Sequence, residues 1–259
     1  MGEVRTAVVT GASSGIGEAT VRLLRQRGWN AVGVARRRER LERLAAETGA
    51  ATFAADVTSD GDIEALVAFL RERGPVNALV NVAGGAIGAD SIERSSIDDW
   101  RQMYETNVLG VLRMTQALLP LLREASVEQP NSDILTVSST AGHIAYENGG
   151  GYTAAKHGTT DLIETLRLEL AGEPIRVTEV APGMVQTPEF SLNRYGGDQA
   201  AADRVYENVQ DPLTAEDVAR VIADMLALPT HINLDLVVMR PVAQAAQHKL
   251  IRGPLRPKL

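Results

Sequence analysis

No cysteine occurs in the sequence, so disulfide staples, thiolate nucleophiles and cysteine metal sites are excluded. Histidine is scarce: His143, His157, His231 and His248 stand far apart, without the H-x-x-x-H spacing that puts two ring nitrogens on one helical face, and no metal site is expected. Basic residues are outnumbered, 26 Lys and Arg against 33 Asp and Glu. The resulting net charge of −7 opposes the basic footprint that nucleic-acid binding demands. No apolar run reaches the ~18 residues of a membrane span. A strand-like run opens at residue 5 and leaves no room for a signal peptide, which predicts a cytoplasmic protein.

What is present is an ordinary globular balance, 44% apolar and 23% charged, in a chain of 259 residues that can bury a sizeable core without staples. Short β-branched runs at 5–10, 30–35, 51–55, 77–82, 133–138, 175–181 and 233–239 predict strands. Between them, 15–27, 37–48, 60–73, 97–123, 152–171 and 214–228 carry helical patterns, the last with Thr214 and Asp217 placed like a capping box. Strict alternation of strand and helix predicts a parallel sheet with helices on both faces. No composition break or repeat divides the chain. One domain is therefore expected over 1–248, with the polar segment 188–212 as a lid and 249–259 as a tail, loose or reaching a neighbouring subunit.

The run TGASSGIG at 10–17 follows the first strand and opens the first helix. Gly11, Gly15 and Gly17 are what a tight turn requires when a pyrophosphate must approach bare backbone at a helix N-terminus. An NAD site places an acid about 20 residues further on, at the end of the second strand. Here Ala35 is followed by Arg36, Arg37 and Arg38, and guanidinium groups suit a 2′-phosphate. NADP(H) is the predicted cofactor, with Arg36 its main phosphate contact and at least one of the three arginines merely solvated. Asp56 and Val57 close the third strand, where the carboxylate either receives the adenine amino group or caps the helix near residue 60.

Tyr152 stands four residues before Lys156, so on a helix the two lie on one face, one turn apart. A free phenol, with a pKa near 10, is a poor acid–base group at neutral pH. A neighbouring ammonium and the cationic ring of an oxidised nicotinamide would together bring it down. Ser138 and Ser139 end a buried-type strand, where open α/β sheets bind their ligands, and strand alternation turns the two to opposite faces. Asn107 lies on an apolar helical stripe with Met103, Val111, Met114 and Leu118, and there it bonds a helix carbonyl or holds a water.

Together these segments resemble the short-chain dehydrogenase/reductase family: TGASSGIG at 10–17, NVAG at 81–84, Asn107, SSTAG at 138–142, YTAAK at 152–156 and APGMVQT at 181–187. The likeness spans about residues 5–240. It implies a Rossmann-type, doubly wound, seven-stranded sheet, hydride transfer between a nicotinamide and a small carbonyl or alcohol substrate, and a homodimer or homotetramer. It further implies that Tyr152 is the general acid–base, that Lys156 lowers its pKa and holds the nicotinamide ribose, that Ser139 orients the substrate oxygen, and that Asn107 holds a water in a proton relay. Gly11, Ser13, Ser14, Gly15, Ile16 and Gly17 match the phosphate turn. Asn81, Ala83 and Gly84 match the NAG segment, and Pro182, Gly183, Val185 and Thr187 match the stretch that fixes the nicotinamide. Val82 departs from the usual second Asn, which puts local hydrogen bonding in question. The closing NLDLVVMRPVAQ is similar to reductases acting on small hydroxy acids and 3-hydroxy amino acids. A non-catalytic NADP(H) sensor or scaffold, and imine reduction or epimerisation, are the competing functions. Phe190, Arg194, Tyr195 and Tyr206 of the lid, with His143 and Tyr146, are candidates to line a substrate pocket; Arg194 either pairs a substrate carboxylate or, more in keeping with a loop arginine, is solvated.

Overall fold

Alternation of strand and helix is what the chain adopts in the computed structural model, which describes residues 4–257; residues 1–3 of the expected domain, and Lys258 and Leu259 of the expected tail, lie outside the described residues. The first half runs β1 Thr6–Thr10, α1 Gly15–Gln26, β2 Asn30–Ala35, α2 Arg38–Thr48, β3 Ala51–Ala54, α3 Asp60–Arg71 and β4 Ala78–Asn81. Then come α4 Ile97–Tyr104, α5 Gly110–Glu128, β5 Ser132–Val137, α6 Gly150–Glu169 and β6 Ile175–Pro182. Shorter pieces follow: β7 Val185–Gln186, α7 Phe190–Arg194, α8 Gln199–Tyr206, β8 Leu213–Thr214, α9 Ala215–Leu226, β9 Leu236–Met239, β10 Gln244–Ala246 and β11 Lys249–Leu250.

Seven strands form one parallel sheet in the order β3-β2-β1-β4-β5-β6-β9. The near-continuous apolar run of β1 requires cover on both faces, and it has it. Ala7 and Val9 face a core with Val21 and Leu24 of α1, Leu41 and Leu44 of α2 and Ile222 of α9. Val8, pointing the other way, meets Leu66 of α3, Met114 and Leu118 of α5 and Ile163 of α6. Each such leucine, removed from water, contributes roughly 1.5–3 kcal/mol. Chain order reverses between β1 and β4, and a doubly wound sheet opens its ligand crevice at the carboxyl ends of the strands at that reversal.

Three local outcomes differ from expectation. The helix expected over 97–123 is α4 and α5 joined by a π-helical turn, Glu105–Leu109, and it extends to Glu128. Asp56 does not cap α3: the cap is Ser59, whose hydroxyl accepts from Asp62 N at 3.3 Å, while Asp56 Oδ1 accepts from Thr58 N and Oγ1 at 3.0 and 2.8 Å. The tail is not loose, since β11 pairs with β10 and Arg252 donates to the Arg204, Val205 and Glu207 carbonyls at the end of α8. The capping box of α9 forms between Thr214 and Asp217 as expected.

Candidate active site

A cleft of about 1180 Å³ opens at the β1/β4 reversal. One wall is the turn from β1 into α1. Gly11 and Gly15 adopt φ of +70° and +55°, and a side chain on Gly17 would run into the Gly11 carbonyl, so only bare backbone closes this turn. Ser13, Ser14 and Ile16 line the cleft with the three glycines. The N-terminus of α1 thus presents free N–H groups and a partial positive charge to an anion, and the wall is shaped for a pyrophosphate.

Arg36 and Arg37 stand at the end of β2, and the structure separates their roles. Arg37 Nη2 donates to Ser13 Oγ and Ser14 Oγ at 2.9 and 2.8 Å, and its Nη1 pairs with Glu189 Oε1 at 2.8 Å. Arg36 is largely exposed, 3.7 Å from Asp56 Oδ2 at the cleft edge. Arg40 also pairs with Glu189, at 2.6 Å. Burial raises Glu189, but hydrogen bonds from Arg37, Ser14 and Arg40 outweigh it and hold the carboxylate below its usual range. Glu189 was not marked by any spacing in the sequence; only the folding of 188–212 over the glycine turn brings it there.

The floor is the loop after β4. Thr10 Oγ1 accepts from Val82 N and Ala83 N at 2.9 and 3.0 Å, so the β1–β4 junction is hydrogen-bonded with Val82 in place of an asparagine. Ala83, Gly84 and Val57 line the cleft. Asn81 does not: it lies 2% exposed in β4, its Nδ2 3.4 Å from Thr136 Oγ1 on the neighbouring strand. Alternation along β4 sets its side chain on the same sheet face as Leu79, beside Thr136 of β5, and away from the cleft.

Asn107 sits in the π turn, on the stripe with Met103, Val111, Met114 and Leu118, all buried. Its Nδ2 donates to Met103 O at 2.7 Å, the carbonyl its own backbone N–H would claim in a regular helix, and to Gly85 O at 3.0 Å. Its backbone carbonyl accepts from Thr159 Oγ1 at 2.9 Å. A Cβ on Gly84 would lie 2.6 Å from Asn107 Oδ1 and 3.5 Å from Lys156 Nζ, so the glycine is what lets this loop close on both.

Tyr152 and Lys156 lie in the first turns of α6, buried, with Lys156 Nζ 5.9 Å from the centre of the Tyr152 ring and donating to Val137 O at 3.2 Å. Ser139 turns to the phenol and Ser138 away from it, to Glu179. The protein groups alone do not lower the phenol; the expected lowering also calls for the cationic ring of an oxidised nicotinamide. Burial drives it well above its usual range, with Tyr146 adding to the rise, while the Ser139 hydrogen bond and the Arg194 charge pull against it. Burial also pushes the Lys156 ammonium down to about 8, against the opposing charge of Glu179. Desolvation disfavours both charged forms here.

The far wall is built from late segments. Pro182, Gly183, Val185 and Thr187 line it, joined by Gln244, whose Oε1 accepts from Met184 N at 2.9 Å. Phe190, Tyr195 and Tyr206 reach the cleft, as does Tyr146. His143 does not: its Nε2 meets Glu179 Oε1 at 2.9 Å behind the serine turn. Arg194 is half-buried and hydrogen-bonded rather than loose in solvent. It donates to Gly88 O, Tyr146 OH and Asn148 O at 3.2, 3.1 and 3.2 Å, three neutral acceptors, and so brings to the wall facing Tyr152 a positive charge with no ion-pair partner among the described residues.

Comparison with known proteins agrees with this geometry. The family model described as short chain dehydrogenase matches residues 5–194. An uncharacterized oxidoreductase of Mycobacterium tuberculosis is 49% identical over 252 residues, covering 97% of each chain. Serine 3-dehydrogenase of Agrobacterium fabrum is 38% identical, over 93% of this chain and 95% of its own. The closed form of serine dehydrogenase complexed with NADP+ superposes with a TM-score of 0.88 at 35% identity, covering 96% of this chain and 100% of that one.

Proposed function

The chain belongs to the short-chain dehydrogenase family, and from that premise we propose that it is an NADP(H)-dependent oxidoreductase interconverting a small carbonyl compound and its alcohol, with Tyr152 as general acid–base. The observation that carries the reading is the meeting of Tyr152, Lys156, Ser139 and Asn107 in one cleft that the glycine turn also lines. A degraded sensor or scaffold would have no need to keep four such groups buried together.

The residues present fit the dinucleotide. Gly11, Ser13, Ser14, Gly15, Ile16 and Gly17 offer the pyrophosphate backbone N–H groups and a helix N-terminus, and Arg36 and Arg37 flank the site of a 2′-phosphate. Asp56, Val57, Ala83 and Gly84 border the adenosine half; Pro182, Gly183, Val185 and Thr187 border the nicotinamide half. Bound NADP(H) supplies or accepts the hydride and, when oxidised, adds positive charge beside the phenol. Tyr152, kept protonated by burial, donates its proton to the reduced oxygen. Ser139 orients that oxygen by a hydrogen bond that strengthens as negative charge develops on it. Lys156 holds the cofactor ribose and recharges the phenol, and Asn107, anchored to Met103 and Gly85, positions a water behind it.

The charge of Arg194 faces Tyr152 across the cleft and favours substrates with a carboxylate, as the serine dehydrogenase relative's name also suggests. The segment 188–212 acts as the lid of a single domain spanning 1–248. The edge strand β9 leaves Leu236 and Val238 each 43% exposed, with one side of its ladder unpaired among the described residues, which supports a homodimer or homotetramer; the proposed setting is the cytoplasm. No helix among the described residues is long and apolar enough to cross a membrane. The test is an NADPH-oxidation screen over keto acids, ketones, aldehydes, imines and quinones. Turnover of carbonyl substrates, keto acids foremost, is expected. NADPH binding without turnover of any of them would overturn the reading in favour of a sensor.

A further inference from the structure

Behind the cleft lies a carboxylate that the proposed reaction does not use. Glu179, on β6, is 1% exposed, in a strand otherwise rich in Ile, Val, Thr and Ala. A buried charge is expensive unless hydrogen-bonded and paired. Its Oε1 takes three side chains: the hydroxyl of Ser138, the hydroxyl of Thr160 at 2.9 Å, and His143 Nε2 at 2.9 Å. Each contact leads to a part of the reaction centre. Ser138 precedes Ser139. Thr160 follows Lys156 by one turn of α6. His143 closes the turn Thr140–Gly142, whose N-cap is Ser139 itself. In the sheet, Thr136 and Val137 of β5 lie opposite Glu179 and Val180, and it is Val137 O that receives the Lys156 ammonium. Carboxylate and ammonium therefore flank the same end of β5.

Building on the assignment of Tyr152 and Lys156 above, we propose that Glu179 is a positioning residue for that site: its carboxylate supports the charge of the buried Lys156 ammonium and pins the Ser138–Ser139 turn. The groups that face Lys156 are few. Tyr152 comes from α6, Glu179 from β6, and His143 stands behind Glu179; Asn107 and Gly84 contribute no charge, and Arg194 and Tyr146 act on Tyr152 from across the cleft. Glu179 is the charge that opposes the desolvation of Lys156.

The chain's lysines are Lys156, Lys249 and Lys258, so lysine-selective ¹³Cε labelling yields a spectrum in which Lys156→Arg identifies the buried resonance. Titrated by NMR, the Lys156 resonance of the parent is expected to move with a midpoint of about 8. Glu179→Gln keeps shape and an acceptor oxygen but removes the charge, and the midpoint should fall by about 1 pH unit. The alkaline limb of kcat/KM should move down with it. Glu179→Asp, with the carboxylate set back by one methylene, should lie between. An unchanged Lys156 midpoint in Glu179→Gln overturns the proposal even if turnover drops, because a purely structural glutamate would lower kcat without moving that titration. Should Glu179→Gln not fold, Glu179→Asp is decisive by itself: a smaller fall in the same direction supports the proposal and no fall refutes it. The titration needs no turnover, so failure of the parent to oxidise NADPH would remove the assigned reaction without touching this result.

Discussion

The ring of Phe190 meets the ring of Tyr152 edge-on, with 5.8 Å between centroids and 67° between planes. Phe190 opens α7, so the first residues of the proposed lid already rest on the phenol. The same segment is held at its other end, where Tyr206 OH donates to Val185 O at 3.0 Å and Arg252 closes the carbonyl end of α8. The phenol is packed against protein on this side, and burial is the largest influence on its acidity.

Tyr152→Phe removes the hydroxyl and leaves the ring contact intact. Turnover with a carbonyl substrate should drop by roughly 10²–10⁴-fold, the usual contribution of a positioned acid–base group. NADPH affinity, followed by nicotinamide fluorescence, should stay within a few-fold of the parent. Near-parental turnover would take the phenol out of the mechanism.

In the proposed mechanism Lys156 acts as an ammonium, and burial lowers its pKa to about 8. The charged form is present below that pH and is lost as pH rises through it. Carbonyl reduction should therefore show a kcat/KM plateau on the acid side of about 8 and a decline above it, approaching tenfold per pH unit. A profile flat to pH 10 would contradict the assignment.

Arg36 stands largely exposed at the cleft edge, held by a long 3.7 Å pairing with Asp56, whereas Arg37 is engaged by Ser13, Ser14 and Glu189. Losing a charged hydrogen bond to a 2′-phosphate costs about 1.5–3 kcal/mol. Arg36→Ala should accordingly raise KM for NADPH roughly tenfold to a hundredfold and leave KM for NADH unchanged. Steady-state kinetics with both cofactors decide it; an unaltered ratio would show that Arg36 does not read the phosphate.

Among the described residues, Arg194 bonds only neutral oxygens in the cleft wall. Arg194→Ala should raise KM sharply, by about tenfold or more, for a keto acid and far less for its methyl ester. Equal rises for acid and ester would make Arg194 a brace for the lid and not a reader of carboxylate.

At the opposite end of the sheet, Arg176 and Asp133 form a buried pair, Nε to Oδ1 at 2.6 Å, and Arg176 also donates to the carbonyls of Leu226, Leu228 and Ile232. Removing one partner of a buried pair strands the other, at a cost of about 3–5 kcal/mol. Arg176→Ala should lose that much in urea unfolding; a loss below 1 kcal/mol would mean that Arg5, 2.8 Å from Asp133 Oδ2, suffices alone.

Much of the architecture was legible in local pattern. The apolar runs that became β1, β4 and β5 demanded two covered faces, the glycines at 11, 15 and 17 demanded a turn, and Tyr152 and Lys156 were bound to share a helix face by their spacing alone. The π turn was not legible, because one extra residue in a helical turn leaves an apolar stripe almost unchanged. Nor was the burial of Asn81 against Thr136, since a strand's period does not say which residue of the neighbouring strand lies beside it.

By itself, the sequence determined which residues are neighbours within a turn or a strand, and so the chemistry each segment carries: a phosphate-shaped turn, a phenol beside an amine, a pair of serines. Only the tertiary structure decided what surrounds those groups. Glu189 over the glycine turn, Arg194 against Gly88 and Tyr146, and Glu179 behind Ser138 all join segments far apart in the chain. So did the direction in which Tyr152 and Lys156 are shifted, because acidity follows burial, and burial belongs to the packed whole rather than to any short stretch.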